Sequence, residues 1–194
     1  MEYKRQYPLF SACGLNCGLC PRYHTKGDSK CPGCGGKNFS AKHPSCGVLS
    51  CSQRNMVEYC FLCNEYPCKK YNKWKIDSFI THQNMMKDFE KTKTIGIKAY
   101  QKELNEKIDI LNILLSNYND GRRTNFFCIA INLLKLKDIK NVMKQIEKEI
   151  KSKEIIIKEK AKIAVNLFKA MAEKQSIKLE LIKAYPVKKR IVRS

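Results

Sequence analysis

Ten of the eleven cysteines fall between Cys13 and Cys68, spaced Cys13-x3-Cys17-x2-Cys20-x10-Cys31-x2-Cys34-x11-Cys46-x4-Cys51-x8-Cys60-x2-Cys63-x4-Cys68. Three of the gaps are C-x2-C. Two intervening residues let both sulfurs converge on one tetrahedral ion at about 2.3 Å, and four such donors close a structural site. Cys13, Cys17, Cys20, Cys31, Cys34, Cys46, Cys51, Cys60, Cys63 and Cys68 are therefore the candidate ligands, with zinc, two or more ions, as the expected metal. His24 and His43 would raise the donors to twelve, enough for three sites, although both read more naturally as surface histidines. Connectivity stays open. Cys13, Cys17 and Cys20 could join Cys31 and Cys34 while Cys46, Cys51, Cys60, Cys63 and Cys68 serve a second centre, or the pairs could be cross-braced.

The pair Cys31-Pro-Gly-Cys34-Gly-Gly looks like a zinc knuckle, in which the glycine after the second cysteine takes φ > 0 and lets backbone N–H groups face the thiolates. Cys60-Phe-Leu-Cys63-Asn64 is expected to repeat it, with Asn64 in the left-handed position. Cys17-Gly-Leu-Cys20 is followed instead by Pro21, which suits the first turn of a helix. An iron–sulfur cluster is the alternative cofactor, with a redox or enzymatic role. Cys13, Cys17 and Cys20 resemble in spacing the cluster motif of radical S-adenosylmethionine enzymes, and Cys20-Pro and Cys31-Pro echo ferredoxin endings. Against it, Leu19 stands where those enzymes carry an aromatic residue, and helical periodicity follows rather than alternating strands and helices.

The elements that must position these sulfurs divide by composition. Residues 1–75 form a cysteine-rich module with few Leu, Ile or Val, too apolar-poor to fold without cross-links. Residues 76–194 are rich in Lys, Ile, Leu and Glu and hold only Cys128. The start of the chain shows no apolar signal segment, so a reducing cytoplasm and metal rather than disulfides are expected. The longest apolar stretches, 108–115 and 129–134, are well short of the roughly 20 residues a bilayer requires. The formal charge is +20 over 194 residues. Eight thiolates around two Zn²⁺ would lower it only to about +16. That excess favours nucleic acid or another anionic partner, against the plainer reading of lysine-coated helix faces.

The expected fold class is α-rich and irregular: a small metal-stabilised module followed by a bundle-like helical region. A helix is expected from Ser78 to about Lys93, ended near Gly96, and a longer one follows on the stripe Ile97, Tyr100, Leu104, Ile108, Leu111, Leu115 and Tyr118. Asn119-Asp-Gly121 stops that helix. Thr124 and Asp138 are expected to cap the next two helices. A stripe from Ile139 to Ile150 is continued by Ile157, Ala161, Ala164, Phe168 and Met171. Alternation over 177–181 suggests a short strand, and residues 188–193 form a basic tail. Cys128 reads as core.

Two basic features bear on partners. Lys69 to Lys75 interleaves cations with Tyr71 and Trp74, a composition fit for phosphate contact and base stacking, or else for rings packed inward. Arg122 and Arg123 sit at a loop, able to grip phosphate or to solvate a turn.

Cys13-Gly-Leu-Asn-Cys17-Gly-Leu-Cys20-Pro, Cys31-Pro-Gly-Cys34 and Tyr59-Cys60-Phe-Leu-Cys63-Asn-Glu-Tyr-Pro-Cys68 resemble the bacterial and archaeal cysteine-rich domain-of-unknown-function family 3795. Asp120-Gly-Arg-Arg with Phe126-Phe-Cys128 resembles a helical extension of its longer members. The resemblance implies metal binding by the matching cysteines and supplies no reaction. No glycine loop for phosphate, paired-carboxylate site or Ser-His-Asp set is visible, so the expected function is a non-enzymatic zinc protein that binds nucleic acid or regulates, with a protein–protein adaptor as a further alternative.

Overall fold

The computed structural model describes residues 5–73, 76–151 and 155–183. Among the described residues the secondary structure is helical throughout, which agrees with the expected class. A short α1 (Phe39–Lys42) and α2 (Gly47–Arg54) stand among three 3-10 turns, Cys17–Leu19, Cys60–Leu62 and Lys69–Lys73. Then follow α3 (Met85–Ile95), α4 (Ile97–Asn117), α5 (Thr124–Leu133), α6 (Leu136–Ile150) and α7 (Ile157–Lys174). None of these helices is long and apolar enough to cross a membrane.

α4 is the spine. Its stripe Tyr100, Leu104, Ile108, Leu111 and Leu114 is buried, and it packs against α3, α5, α6 and the 3-10 turn Cys17–Leu19. Residue 18, where that turn meets α4, is glycine, and a Cβ there would stand 2.3 Å from Ile108 Cδ1 and 3.2 Å from Leu9 Cβ. α6 and α7 pack on each other through Ile139, Val142, Ile146, Ala164 and Phe168. One core holds Phe10, Leu19 and Tyr59 from the cysteine-rich segment together with Phe89, Tyr100, Leu104 and Ile108 from the helices. Phe10 stands 4.6 Å from Tyr100, 5.2 Å from Tyr59 and 5.6 Å from Phe89, ring centre to ring centre.

Several boundaries differ from expectation for local reasons. α3 begins at Met85, not Ser78, because side chains claim the preceding backbone. Asp77 Oδ1 accepts the His82 N–H at 2.7 Å, its Oδ2 accepts that of Ile182 at 2.7 Å, and Thr81 Oγ1 accepts that of Gln83. Such bonds offer the chain an alternative to a helix. Gly96, φ +85°, does separate α3 from α4. Thr124 is the first residue of α5 rather than its cap; Asn119 Oδ1 accepts the N–H groups of Gly121 and Arg123 and Asn119 Nδ2 donates to Thr124 Oγ1. Asp138 lies inside the first turn of α6, where its charge suits the helix dipole without capping. Residues 177–181 alternate half-buried and exposed as a strand would, yet they pair with no strand. The nearby backbone bonds go to Asp77 and Gln83 instead. Trp74, Lys75 and the basic tail 188–193 lie outside the described residues.

Candidate metal centre

Two of the three C-x2-C pairs fold alike. In each, the first cysteine opens a 3-10 turn, and the second leaves it extended, Cys20 at φ −83°, ψ 135° and Cys63 at φ −84°, ψ 138°. The N–H of the second cysteine donates to the carbonyl of the first, at 3.1 Å for Cys20 and 2.9 Å for Cys63. Tyr23 and Tyr66 then donate backbone N–H groups to Cys20 and Cys63. Cys-x2-Cys-x2-Tyr, at Cys17 to Tyr23 and Cys60 to Tyr66, is the sequence trace of this repeat.

The third pair is built differently. Gly33 and Gly35 take φ +86° and +69°, as the knuckle reading requires of the residue after Cys34. Cys34 N–H donates to Pro8 O at 2.8 Å, and a Cβ on Gly33 would fall 2.7 Å from that same oxygen. Asn64, by contrast, does not adopt a positive φ. Cys63 leaves its 3-10 turn extended, so the Cys60 pair follows the Cys17 pattern and not the knuckle.

The ten cysteines sort into two groups by their electrostatic neighbours. Charge on Cys17 would be opposed by Cys34, Cys13, Cys20 and Cys31, and charge on Cys34 by Cys46 and Cys31. Cys60 has Cys68, Cys51 and Cys63 as its neighbours. α2 divides the groups. Cys46 at its N-cap packs with Cys17 and Cys34, whereas Cys51, further along the helix, faces a cavity of about 60 Å³ that Cys60, Cys63 and Cys68 also line. Cys46 thus stands with the first five cysteines rather than with the later four, while it and Cys60 also pack against the cluster that holds Cys13.

Burial pushes the Cys13, Cys17, Cys20 and Cys34 thiols up, and neighbouring sulfurs add like charge at Cys13 and Cys17. The buried Arg5 guanidinium acts the other way on Cys34. Cys60 is pushed up to about 11 by burial. Thiols arranged in this way ionise together only when a cation stands among them. Among the described residues no three His, Cys, Asp or Glu side chains converge closely enough to hold an ion as they stand. The donor set around the smaller cavity, four sulfurs in a partly buried space, nevertheless has the chemistry of a closed zinc site.

Arg5 and Glu58 went unnoticed in the sequence. Arg5 donates to the backbone carbonyls of Glu58 and Phe10 and lies over the Tyr59 ring, while Glu58 Oε1 accepts the N–H groups of Gln6 and Tyr7 at 3.0 and 3.1 Å. Together they clamp residues 5–10 onto the segment that opens the second cysteine group. Nothing in local spacing signals this, since the partners are more than fifty residues apart.

His24 Nε2 stands 2.8 Å from Gly18 O, and His43 Nδ1 stands 2.8 Å from Pro44 O with its ring stacked on Phe39. Each has a partner other than a metal. Cys128 is buried in the helical core on α5. Tyr71 points inward, its hydroxyl donating to Cys13 O at 3.3 Å and its ring edge-on to Tyr66, so it is not free to stack on a base. Lys69 and Lys70 stay exposed. At the loop, Arg123 pairs with Asp120 at 3.5 Å and Arg122 is exposed.

An α-helical protein with a cysteine-rich segment in two sulfur groups is the class that fold and site define. Residues 9–73 match the model of a family described as a protein of unknown function (DUF3795). No curated protein and no solved structure matches the chain.

Proposed function

We propose that this is a zinc-binding protein whose metal module comprises Cys13 to Cys68. One ion is held by Cys51, Cys60, Cys63 and Cys68, and at least one more by sulfurs of the group Cys13, Cys17, Cys20, Cys31, Cys34 and Cys46. The observation that carries this reading is that four cysteines, from a helix, a 3-10 turn and the loop after it, line one small cavity. Separate elements do not deliver four thiols to one space for packing alone, since free thiols pack as ordinary small apolar groups anywhere in a core. The ions act structurally, tying α2 to the two 3-10 turns, and the module serves binding or regulation rather than catalysis.

The test is elemental analysis with a visible spectrum on protein purified without oxygen. Two or three zinc per chain and no colour are expected. Stoichiometric iron with sulfide and absorbance near 400 nm would replace zinc with an iron–sulfur centre.

The charge of +20 supports an anionic macromolecular partner, nucleic acid before others. Binding to a random-sequence duplex is expected to weaken steeply with salt, with a log–log slope set by the number of phosphates neutralised. Binding that ignores salt, or none at 50 mM salt, would remove this reading.

A further inference from the structure

A cleft of about 1060 Å³ opens among α3, α4, the α5–α6 corner and the segment after α7, and none of the cysteines lines it. Its walls carry six lysines against three carboxylates, Asp88, Glu103 and Glu180. The inner wall is a connected polar set. Asp88 Oδ2 accepts from Asn16 Nδ2 at 2.8 Å, and Tyr100 donates to Asn16 Oδ1 at 2.9 Å. Glu103 is already paired with Lys91. Lys107 spends one of its three protons on Leu134 O, 2.8 Å away, and no hydrogen-bond acceptor among the described residues takes the other two, although the Asp88 and Glu103 carboxylates lie near enough to favour its charge.

Leu134 stands two residues before α6, so the Lys107 ammonium lies beside the start of that helix. α6 has no side-chain cap, and Leu136 and Lys137 of its first turn line the cleft. The Asp138 N–H of that turn goes to Lys135 O, which leaves those of Leu136 and Lys137, and these with the positive end of the dipole favour an anion on the cleft side, beside the Asp138 carboxylate. The exposed Lys137 adds a movable cation. Asp88 and the side chains of Gln83 and Asn84 also line the cleft, where hydroxyl or amino groups of a ligand would find partners. A concave site with an apolar floor, here Leu104 and Leu133, and a few converging polar groups is the usual form of a small-molecule site.

We propose that this cleft binds a small phosphate ester, its phosphate between Lys107, Lys137 and the first turn of α6 and its polar body against Asp88. Phosphate is favoured over carboxylate because the anion end offers two ammonium groups and a helix start to a single head group. No cysteine lines the site, although Asn16 beside Cys17 holds Asp88, and its test reads phosphate binding rather than metal content, so the two readings fail separately.

The test is calorimetric titration of the full chain with ribose 5-phosphate, with ribose and with inorganic phosphate. Saturable one-to-one binding is expected for ribose 5-phosphate, weaker binding for inorganic phosphate and none for ribose. Lys107→Gln and Lys137→Ala should each weaken ribose 5-phosphate about tenfold, the loss of one charge-assisted contact. Asp88→Asn should weaken the ester and spare inorganic phosphate. Lys169→Ala, on α7 and outside the cleft, should change nothing. Absence of saturable heat, equal binding of ribose, or binding that Lys137→Ala leaves intact overturns the proposal. An equal loss with Lys169→Ala also overturns it, since that would be bulk charge. Lys137 is exposed, so its variant remains informative if Lys107→Gln does not fold.

Discussion

A cysteine's surroundings separate a ligand from a filler. Cys63 shares its cavity with three other thiols, whereas Cys128 is buried in the helical core on α5 with Cys20 as its electrostatic neighbour. Cys63→Ser is therefore expected to lower zinc by one per chain and to reduce the melting temperature. Cys128→Ala is expected to leave the metal content unchanged and to cost about 1 kcal/mol by removing one buried sulfur. Elemental analysis beside thermal melts checks both, and metal loss in Cys128→Ala would place that sulfur in the metal set. Glycine makes a second contrast. Gly33→Ala combines a positive φ with a Cβ 2.7 Å from backbone oxygen, and Pro8 cannot rotate away. A loss of about 2 kcal/mol or more in urea unfolding is expected. Gly121→Ala shares the positive φ but meets nothing within 4 Å, so it should cost about 1 kcal/mol. Equal costs at the two positions would show that the Pro8 contact is not tight. The value of Gly35 was legible in the sequence because Cys-x2-Cys-Gly carries a backbone requirement. Asn64 misled because asparagine tolerates that conformation without demanding it.

Where α3 meets α4, the Asp88 carboxyl stands in the inner wall of the cleft. Burial raises it to about 6, and only in part do Lys107, the Asn16 amide and Lys91 offset this. A carboxyl raised by folding favours the proton-bound native state. Its contribution is full below the unfolded value near 4 and is lost as pH rises through about 6. Relative to wild type, Asp88→Asn should therefore be more stabilising at pH 7.5 than at pH 4.5, by about 1 to 2 kcal/mol once solvent in the cleft is allowed for. Urea unfolding of both proteins at each pH checks it, and comparing them at equal pH cancels any acid release of metal. A difference that is flat or opposite in sign would show Lys107 holding Asp88 ionised. At this scale the stripe of α4 was legible from Tyr100 to Leu111, since a period of three and four over that length has no competitor, but its last turn was misplaced: Leu114 is buried where Leu115 was expected. Ser78 to Asn84 was not, because Asp77 bonds forward to His82 and across to Ile182, over a hundred residues away. Alternation over 177–181 correctly marked which side chains turn inward, and failed as a strand because a strand is a property of a pair.

Phe10 and Tyr59 come from the cysteine-rich segment, yet they are completed by Phe89 and Tyr100 of the helices. The composition boundary near residue 75 is real in the sequence, but the apolar core runs across it. Long-range aromatic partners leave no local signature, which is why composition divided what packing joins. Gly18 makes the join close, and the Arg5–Glu58 clamp holds Phe10 in place. Phe10→Ala should then cost about 3 to 5 kcal/mol and lower the helical melting signal as a whole. The proposed metal would share in the same cooperativity. Its removal frees the 3-10 turns that present Leu19 and Tyr59 to α4, so the core loses part of one wall. Chelation under reducing conditions is expected to lower the midpoint of the far-ultraviolet transition by several degrees and to keep it a single transition, since a change of 1 kcal/mol moves the midpoint of a chain this size by about 2 to 4 °C. Were the helical signal to melt at an unchanged temperature after the zinc is gone, the cysteine-rich segment would be a separate unit resting on the helices, and the continuity of the core would carry little of their stability.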